Sequence, residues 1–121
     1  MELPVLYALT HPERVADDGV PAFDPVRLSP MTYESVNHAR FPALRLGISA
    51  GVAGGAAPAV FNAANECAVA AFLAGKISFP DIPRAISSAL DTLSDMAAGT
   101  REELLDADAA ARRHVKEMFG C

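Results

Sequence analysis

The spacing of the prolines divides this chain into two parts. Five of its nine prolines fall within the first 42 residues, after the one near the start: Pro12, Pro21, Pro25, Pro30 and Pro42. Because proline fixes φ and lacks an N–H group, this stretch cannot form a long helix or an interior strand. We predict a short helix over residues 4–10 and then an extended, largely irregular connector, which together occupy residues 1–40. Hydrophobic residues are expected to anchor the connector to another surface: Val20, Phe23, Val26, Leu28, Met31 and Tyr33.

Residues 41–121 carry hydrophobic side chains at helical spacing in four successive segments. The first segment has an apolar stripe made of Phe41, Leu44, Ile48 and Val52. It is predicted to end at Gly54 and Gly55, which suit a helix C-terminus. The second segment runs from about Pro58 to Ala74 and is apolar over most of its circumference, which predicts the central and most buried helix.

Two predicted helix starts follow. Ser78 with Asp81, and Thr100 with Glu103, each have the spacing of a capping box, in which the side chains at both positions bond to backbone N–H groups. The last helix either runs through Asp106 or breaks there, with Asp106 as a new cap. Its buried face is predicted to consist of Leu104, Ala111, Val115, Met118 and Phe119.

Alanine content favours closely packed helices. The chain has 24 alanines among 121 residues, and only 7% of its residues are aromatic, which is unfavourable for a β-sandwich. Short turns make successive helices antiparallel neighbours, as in a four-helix bundle. We therefore predict a mainly α protein in which an extended N-terminal connector, residues 1–40, precedes a four-helix bundle domain, residues 41–121.

Charge and hydropathy argue against several classes of protein. The net charge is −5 and no cluster of Lys or Arg is present, so we expect no nucleic-acid partner. No apolar run reaches the roughly 18–20 residues needed to cross a membrane, and the first residues do not resemble a signal peptide. Cys67 and Cys121 are too few for a disulfide scaffold or a zinc site, which predicts reduced thiols in a cytoplasmic protein.

Short matches to catalytic motifs carry little weight here. Residues 47–51 fit the G-x-S-x-G pattern of a hydrolase, but Ser49 lies within a helical pattern and not after a strand. Residues 51–55 lack the glycine spacing of a dinucleotide-binding phosphate loop. The histidines are far apart in sequence and form no metal-ligand pair: His11, His38 and His114.

The sharpest local feature is the run Asn62-Ala63-Ala64-Asn65-Glu66. Asn62, Asn65 and Glu66 lie three and four residues apart, so they share one face of the predicted central helix. Polar groups on a buried face must be hydrogen-bonded. We favour a structural polar network that ties this helix to its neighbours, and a contact with a ligand is the alternative.

A series of segments carries a family resemblance along nearly the whole chain. The segments are Pro4–Val15, Phe23–Asp24, Leu28, Met31–Glu34, Arg40–Leu46, Pro58–Glu66, Ala68–Leu73, Lys76–Ile82 and Asp106–Arg112. Together they resemble the 1-deoxy-D-xylulose 5-phosphate reductoisomerase family, and the match is strongest at Pro58–Glu66.

The resemblance implies a three-part enzyme of non-mevalonate isoprenoid biosynthesis. In that family an N-terminal domain binds NADPH, a central domain binds Mg²⁺ or Mn²⁺ and the sugar phosphate, and a C-terminal four-helix bundle supports both. This chain resembles the connector and the bundle. The family's catalytic, cofactor and metal motifs lie upstream of the matching segments, so none of these roles is expected here and the chain alone is predicted to be inactive.

Two sets of partners follow from these readings. The resemblance implies the NADPH-binding and central domains, in the same chain or a separate one, and leaves a homodimer open. The alternative is a stand-alone helical interaction or dimerisation module without catalysis, whose connector covers a partner. A small serine hydrolase built on Ser49 is a distant third.

Overall fold

This computed structural model describes residues 2–20, 24–27 and 30–120. The regular secondary structure of these residues is helical. The helices are α1 (Glu2–Thr10), α2 (Ala43–Ala53), α3 (Ala57–Leu73), α4 (Asp81–Leu93) and α5 (Arg101–Phe119). No strand occurs among these residues, and the prediction of a mainly α fold with four helices after a connector is confirmed. The chain divides into two compact units, residues 1–35 and 36–121.

The first unit holds α1 and irregular chain. The ring of Tyr7 meets His11 edge-on, with 5.6 Å between ring centroids, and the Arg14 guanidinium lies 4.8 Å from the Tyr7 centroid. Three of the predicted anchoring residues, Val26, Met31 and Tyr33, are exposed. Val20 is half-buried, and Phe23 and Leu28 lie outside the described residues.

The second unit is built around α3, which packs against α2, α4 and α5. In turn, α4 packs against α2 and α5. More buried residues belong to α3 than to any other described helix, so the prediction of a central helix is confirmed. Pro58 sits in its first turn, where the missing N–H group costs no helical hydrogen bond.

Small side chains dominate the core of the second unit. The largest fully buried side chains are Ile86, Val60 and Val115. The other members of the buried cluster are Ala56, Ala63, Ala64, Ala68, Ile82, Ala85, Ala89, Ala107 and Ala111. A helix that presents alanine lets its neighbour approach closely, so this core depends on fit more than on bulk.

Most helix ends follow the predicted signals. Gly54 caps α2 with φ of 68°, and Gly75 follows α3 with φ of 71°, a region that glycine enters without strain. The capping box of Thr100 and Glu103 at the start of α5 is confirmed. The capping box predicted at Ser78 is confirmed only in part. The Asp81 carboxylate accepts a hydrogen bond from the N–H of Ser78, as predicted, and also one from the Ser78 hydroxyl. That hydroxyl therefore does not cap an N–H group of α4.

The structure decides one open question about the last helix and corrects part of its predicted buried face. The helix α5 is continuous through Asp106, and Leu104 and Met118 are exposed. The buried stripe consists of Ala107, Ala111 and Val115, which recur every four residues. This stripe begins directly after Asp106 and lies in the buried cluster that α5 shares with α3 and α4, which favours an uninterrupted helix.

Candidate docking surface

One of the three predicted polar residues, Glu66, meets a partner on α5. Asn62 donates from Nδ2 to Glu66 Oε1 at 3.3 Å, and Glu66 Oε2 accepts from Arg112 at 2.7 Å. The same guanidinium donates to both carboxylate oxygens of Asp108, at 2.7 and 3.0 Å. Asn65 is half-buried, and within the described chain its side chain takes no part in this set of bonds.

Electrostatics in this cluster are set by one arginine between two acids. The hydrogen bonds from Arg112 and Asn62 lower the pKa of Glu66, and the carboxylates of Asp108 and Glu66 raise the pKa of Arg112. Both Asn62 and Glu66 are exposed, in contrast to the buried face expected for them. The cluster therefore links α3 to α5 across the surface of the bundle.

An unpartnered hydrophobic flank lies on α2. We call Phe41, Leu44, Ile48 and Val52 the outer stripe; these side chains are between 46% and 84% exposed. The residues of α2 that face the core are Ala50, which is buried, and Leu46, which packs against the buried cluster. The helix is thus apolar on two opposite sides, and within the second unit only one of them is covered.

A close approach decides which side of α2 faces inward. The ring of Phe61 on α3 lies 3.2 Å from where a Cβ at Gly47 would stand. A larger side chain at position 47 would push the two helices apart, so glycine orients this face toward α3. The spacing of hydrophobic residues alone did not reveal this, because both sides of the helix satisfy it.

A groove lies between α2 and α4 beside the outer stripe. It has a volume of about 550 Å³, and its hydrophobic lining includes Leu46, Phe79 and Pro83. Three arginines also line it: Arg40, Arg45 and Arg84. Arg84 pairs with Asp81 at 2.8 Å.

The residues of the weak catalytic motifs do not converge. Ser49 is exposed on α2 and lines the groove. The hydroxyl of Ser88 on α4, not that of Ser49, lies 2.8 Å from His114 Nε2. Cys67 is a free thiol whose Sγ lies 3.8 Å from the carbonyl oxygen of Arg112, and Cys121 lies outside the described residues.

The described residues offer neither a cluster of metal ligands nor a membrane-spanning helix. No group of three or more His, Cys, Asp or Glu side chains among them is placed to hold a metal ion. No described helix is long and apolar enough to cross a membrane.

An all-helical domain with one uncovered hydrophobic flank has known counterparts. The family model for the DXP reductoisomerase C-terminal domain matches residues 1–114. A 1-deoxy-D-xylulose 5-phosphate reductoisomerase from Cyanothece is 47% identical over 117 residues, which are 95% of this chain and 30% of that protein. The enzyme from Burkholderia mallei is 44% identical over 120 residues, which are 99% of this chain and 30% of that protein.

A solved structure gives the same assignment. The 1-deoxy-D-xylulose 5-phosphate reductoisomerase from Zymomonas mobilis, in complex with NADPH, superposes with a TM-score of 0.80 at 35% identity. The superposition covers 98% of this chain and 31% of that one. The chain therefore belongs to the family of DXP reductoisomerase C-terminal domains, as its motifs predicted, and it spans about 30% of the length of the curated relatives it matches.

Proposed function

We propose that this chain is the helical support of a reductoisomerase that acts on 1-deoxy-D-xylulose 5-phosphate with NADPH and Mg²⁺ or Mn²⁺. NADPH, the metal and the substrate are assigned to the part of the enzyme that corresponds to the unmatched length of the relatives. The chain contributes by packing against that part and holding it in shape, and it is inactive alone.

The outer stripe of α2 carries this proposal. Four large hydrophobic side chains in a row, with the opposite side of the helix already in the core, form a ready contact for another domain. Each such side chain stabilises an interface by up to about 1.5–3 kcal/mol when it is fully removed from water. The most similar of these relatives extend well beyond the matched region, which supplies a surface for it.

A fusion enzyme tests the proposal. It joins the upstream portion of the Cyanothece reductoisomerase to this chain, in place of that enzyme's own matching region. We expect the fusion enzyme to oxidise NADPH when given 1-deoxy-D-xylulose 5-phosphate and Mg²⁺. We expect no oxidation from the chain alone under the same conditions, and activity of the purified chain would refute the proposal.

Two variants at positions of similar solvent exposure test whether the outer stripe is the contact with the rest of the enzyme. Ile48, in the outer stripe, is 57% exposed, and Leu105, on α5, is 52% exposed. In the fusion enzyme, Ile48→Asp should lower activity about tenfold or more, because a buried unpaired carboxylate costs several kcal/mol. Leu105→Asp should leave activity within about twofold of the unchanged enzyme, as an exposed substitution does. Equal losses would show that the outer stripe is not the contact.

The same stripe supports a second candidate, a dimerisation module. Two copies of the chain could cover each other's outer stripes. Sedimentation equilibrium of the isolated chain separates the candidates. A tight dimer that Ile48→Asp dissociates favours the module, and a monomer favours the enzyme domain.

A further inference from the structure

We propose that the groove between α2 and α4 binds an acidic, amphipathic segment of the reductoisomerase's catalytic portion. Hydrophobic side chains of that segment would fill the groove, and its carboxylates would pair with Arg40 and Arg45. The inference rests on the proposed function and adds the chemistry of the partner segment.

Shape is the first support. The groove is about 550 Å³, which accommodates a few side chains of a docked segment but not a folded domain. Phe79 and Pro83 form part of its apolar lining, and Phe79 remains 57% exposed in the isolated chain. Grooves between two helices commonly receive the apolar face of an amphipathic segment.

Charge is the second support. The chain carries a net charge of −5 and only ten Lys and Arg residues, yet three arginines line this one groove. Arg84 is paired with Asp81, whereas no carboxylate of the described residues lies within salt-bridge distance of Arg40 or Arg45. Guanidinium groups bind carboxylates in a two-pronged geometry, so these arginines select an acidic partner.

Position is the third support. On α2, Arg45 lies three residues before Ile48, so it borders the outer stripe. The groove and the stripe therefore form one continuous surface. A segment bound in the groove would belong to the same part of the enzyme that covers the stripe.

The surroundings of the arginines favour an acidic segment over a small phosphate. Arg40, Arg45 and Arg84 are all exposed, and much of the surface between them is hydrophobic. A small anion would gain little from an apolar floor, whereas a peptide would use both the floor and the charges.

Thiol labelling in the fusion enzyme tests the groove. In a background with Cys67→Ala and Cys121→Ala, Ser49→Cys reports on the groove and Ile48→Cys reports on the stripe, with mass spectrometry of the labelled peptides as the readout. We expect Ser49→Cys to react about tenfold more slowly in the fusion enzyme than in the isolated chain. Adding Arg40→Glu and Arg45→Glu should restore fast labelling at position 49 while position 48 stays protected.

A charge reversal elsewhere is the matched control. Arg101→Glu, at an exposed position on α5, should leave position 49 protected, and circular dichroism checks that every variant retains its helices. If neither position is protected, the proposed function itself fails. If position 48 is protected but position 49 reacts freely, or is unaffected by the arginine reversals, only the groove proposal fails.

Two other occupants of the groove would give different results in the labelling experiment. Protection of Ser49→Cys in the isolated chain that rises with protein concentration would indicate a second copy. Protection of the isolated chain by inorganic phosphate would indicate a small-anion site. Either result would overturn the acidic-segment proposal.

Discussion

At the level of single residues, the small side chain of alanine determines how closely the helices of the bundle pack. Ala64 on α3 is completely buried, and it lies in the cluster where α3, α4 and α5 meet. A longer side chain there must displace a neighbouring helix, because protein cores contain few voids. The abundance of alanine in the sequence indicated close packing, but which alanines are buried depends on the tertiary arrangement.

An overpacking pair tests this view of the core. We expect Ala64→Leu to destabilise the chain by about 1–3 kcal/mol. Ala70→Leu, at an exposed position on the same helix, should change stability by less than about 0.5 kcal/mol. Urea unfolding followed by circular dichroism measures both, and similar effects at the two positions would contradict the assigned core.

Glu66 should make stability depend on pH in the acid range. Its pKa is lower in the folded chain because Arg112 and Asn62 bond to the ionised carboxylate. The stabilisation is therefore present above the unfolded pKa and is lost as the pH falls through the folded one. Glu66→Gln should lower the melting temperature at pH 7, and the difference from the unchanged chain should close as the pH falls through the lowered pKa of Glu66 in the folded chain.

A control variant tests whether the ion pair with Arg112 causes this pH dependence of stability. Glu102→Gln, at an exposed position on α5, should show no comparable loss of melting temperature at pH 7. A Glu66→Gln deficit of constant size down to pH 3 would mean that the Arg112 ion pair is not its cause. These outcomes are read from thermal unfolding at a series of pH values.

At the level of secondary-structure elements, the ends of the helices were easier to predict from the sequence than the side that each helix buries. The end signals are local: Gly54 stops α2, and Thr100 with Glu103 starts α5. The sequence left open whether α5 breaks at Asp106, and the helix runs through because the packing of Ala107 and Ala111 outweighs a local capping preference. Similarly, α2 is apolar on two sides, and its packing in the structure, with Ala50 buried and Gly47 against Phe61, identifies the inner one.

The capping box of α5 should contribute measurably to stability. Thr100 accepts from the N–H of Glu103 at 3.2 Å, and Glu103 accepts from the N–H of Thr100 at 3.0 Å. Thr100→Ala removes one of these bonds and should cost about 1 kcal/mol, whereas Thr100→Ser should cost much less. Chemical denaturation compares the two, and equal losses would show that the hydroxyl has no capping role.

For the whole molecule, the family could be predicted from the sequence and the docking surface could not. The motif around Asn62 and Glu66 carried the strongest part of the family match, although both side chains lie on the surface. Asn62 bonds to Glu66, and Glu66 bonds to Arg112, which lies 46 residues further along the chain. The outer stripe became evident only when the packing of α2 showed which of its sides is covered. A hydrophobic pattern specifies that a surface is to be buried, not what buries it.

The central proposal is that another part of a reductoisomerase covers the outer stripe. The most direct measurement is the thiol labelling rate of Ile48→Cys, compared between the isolated chain and the fusion enzyme, with Leu105→Cys as the reference. We expect position 48 to react about tenfold more slowly in the fusion enzyme while position 105 reacts equally in both. Equal rates at position 48 in the two proteins would contradict the proposal.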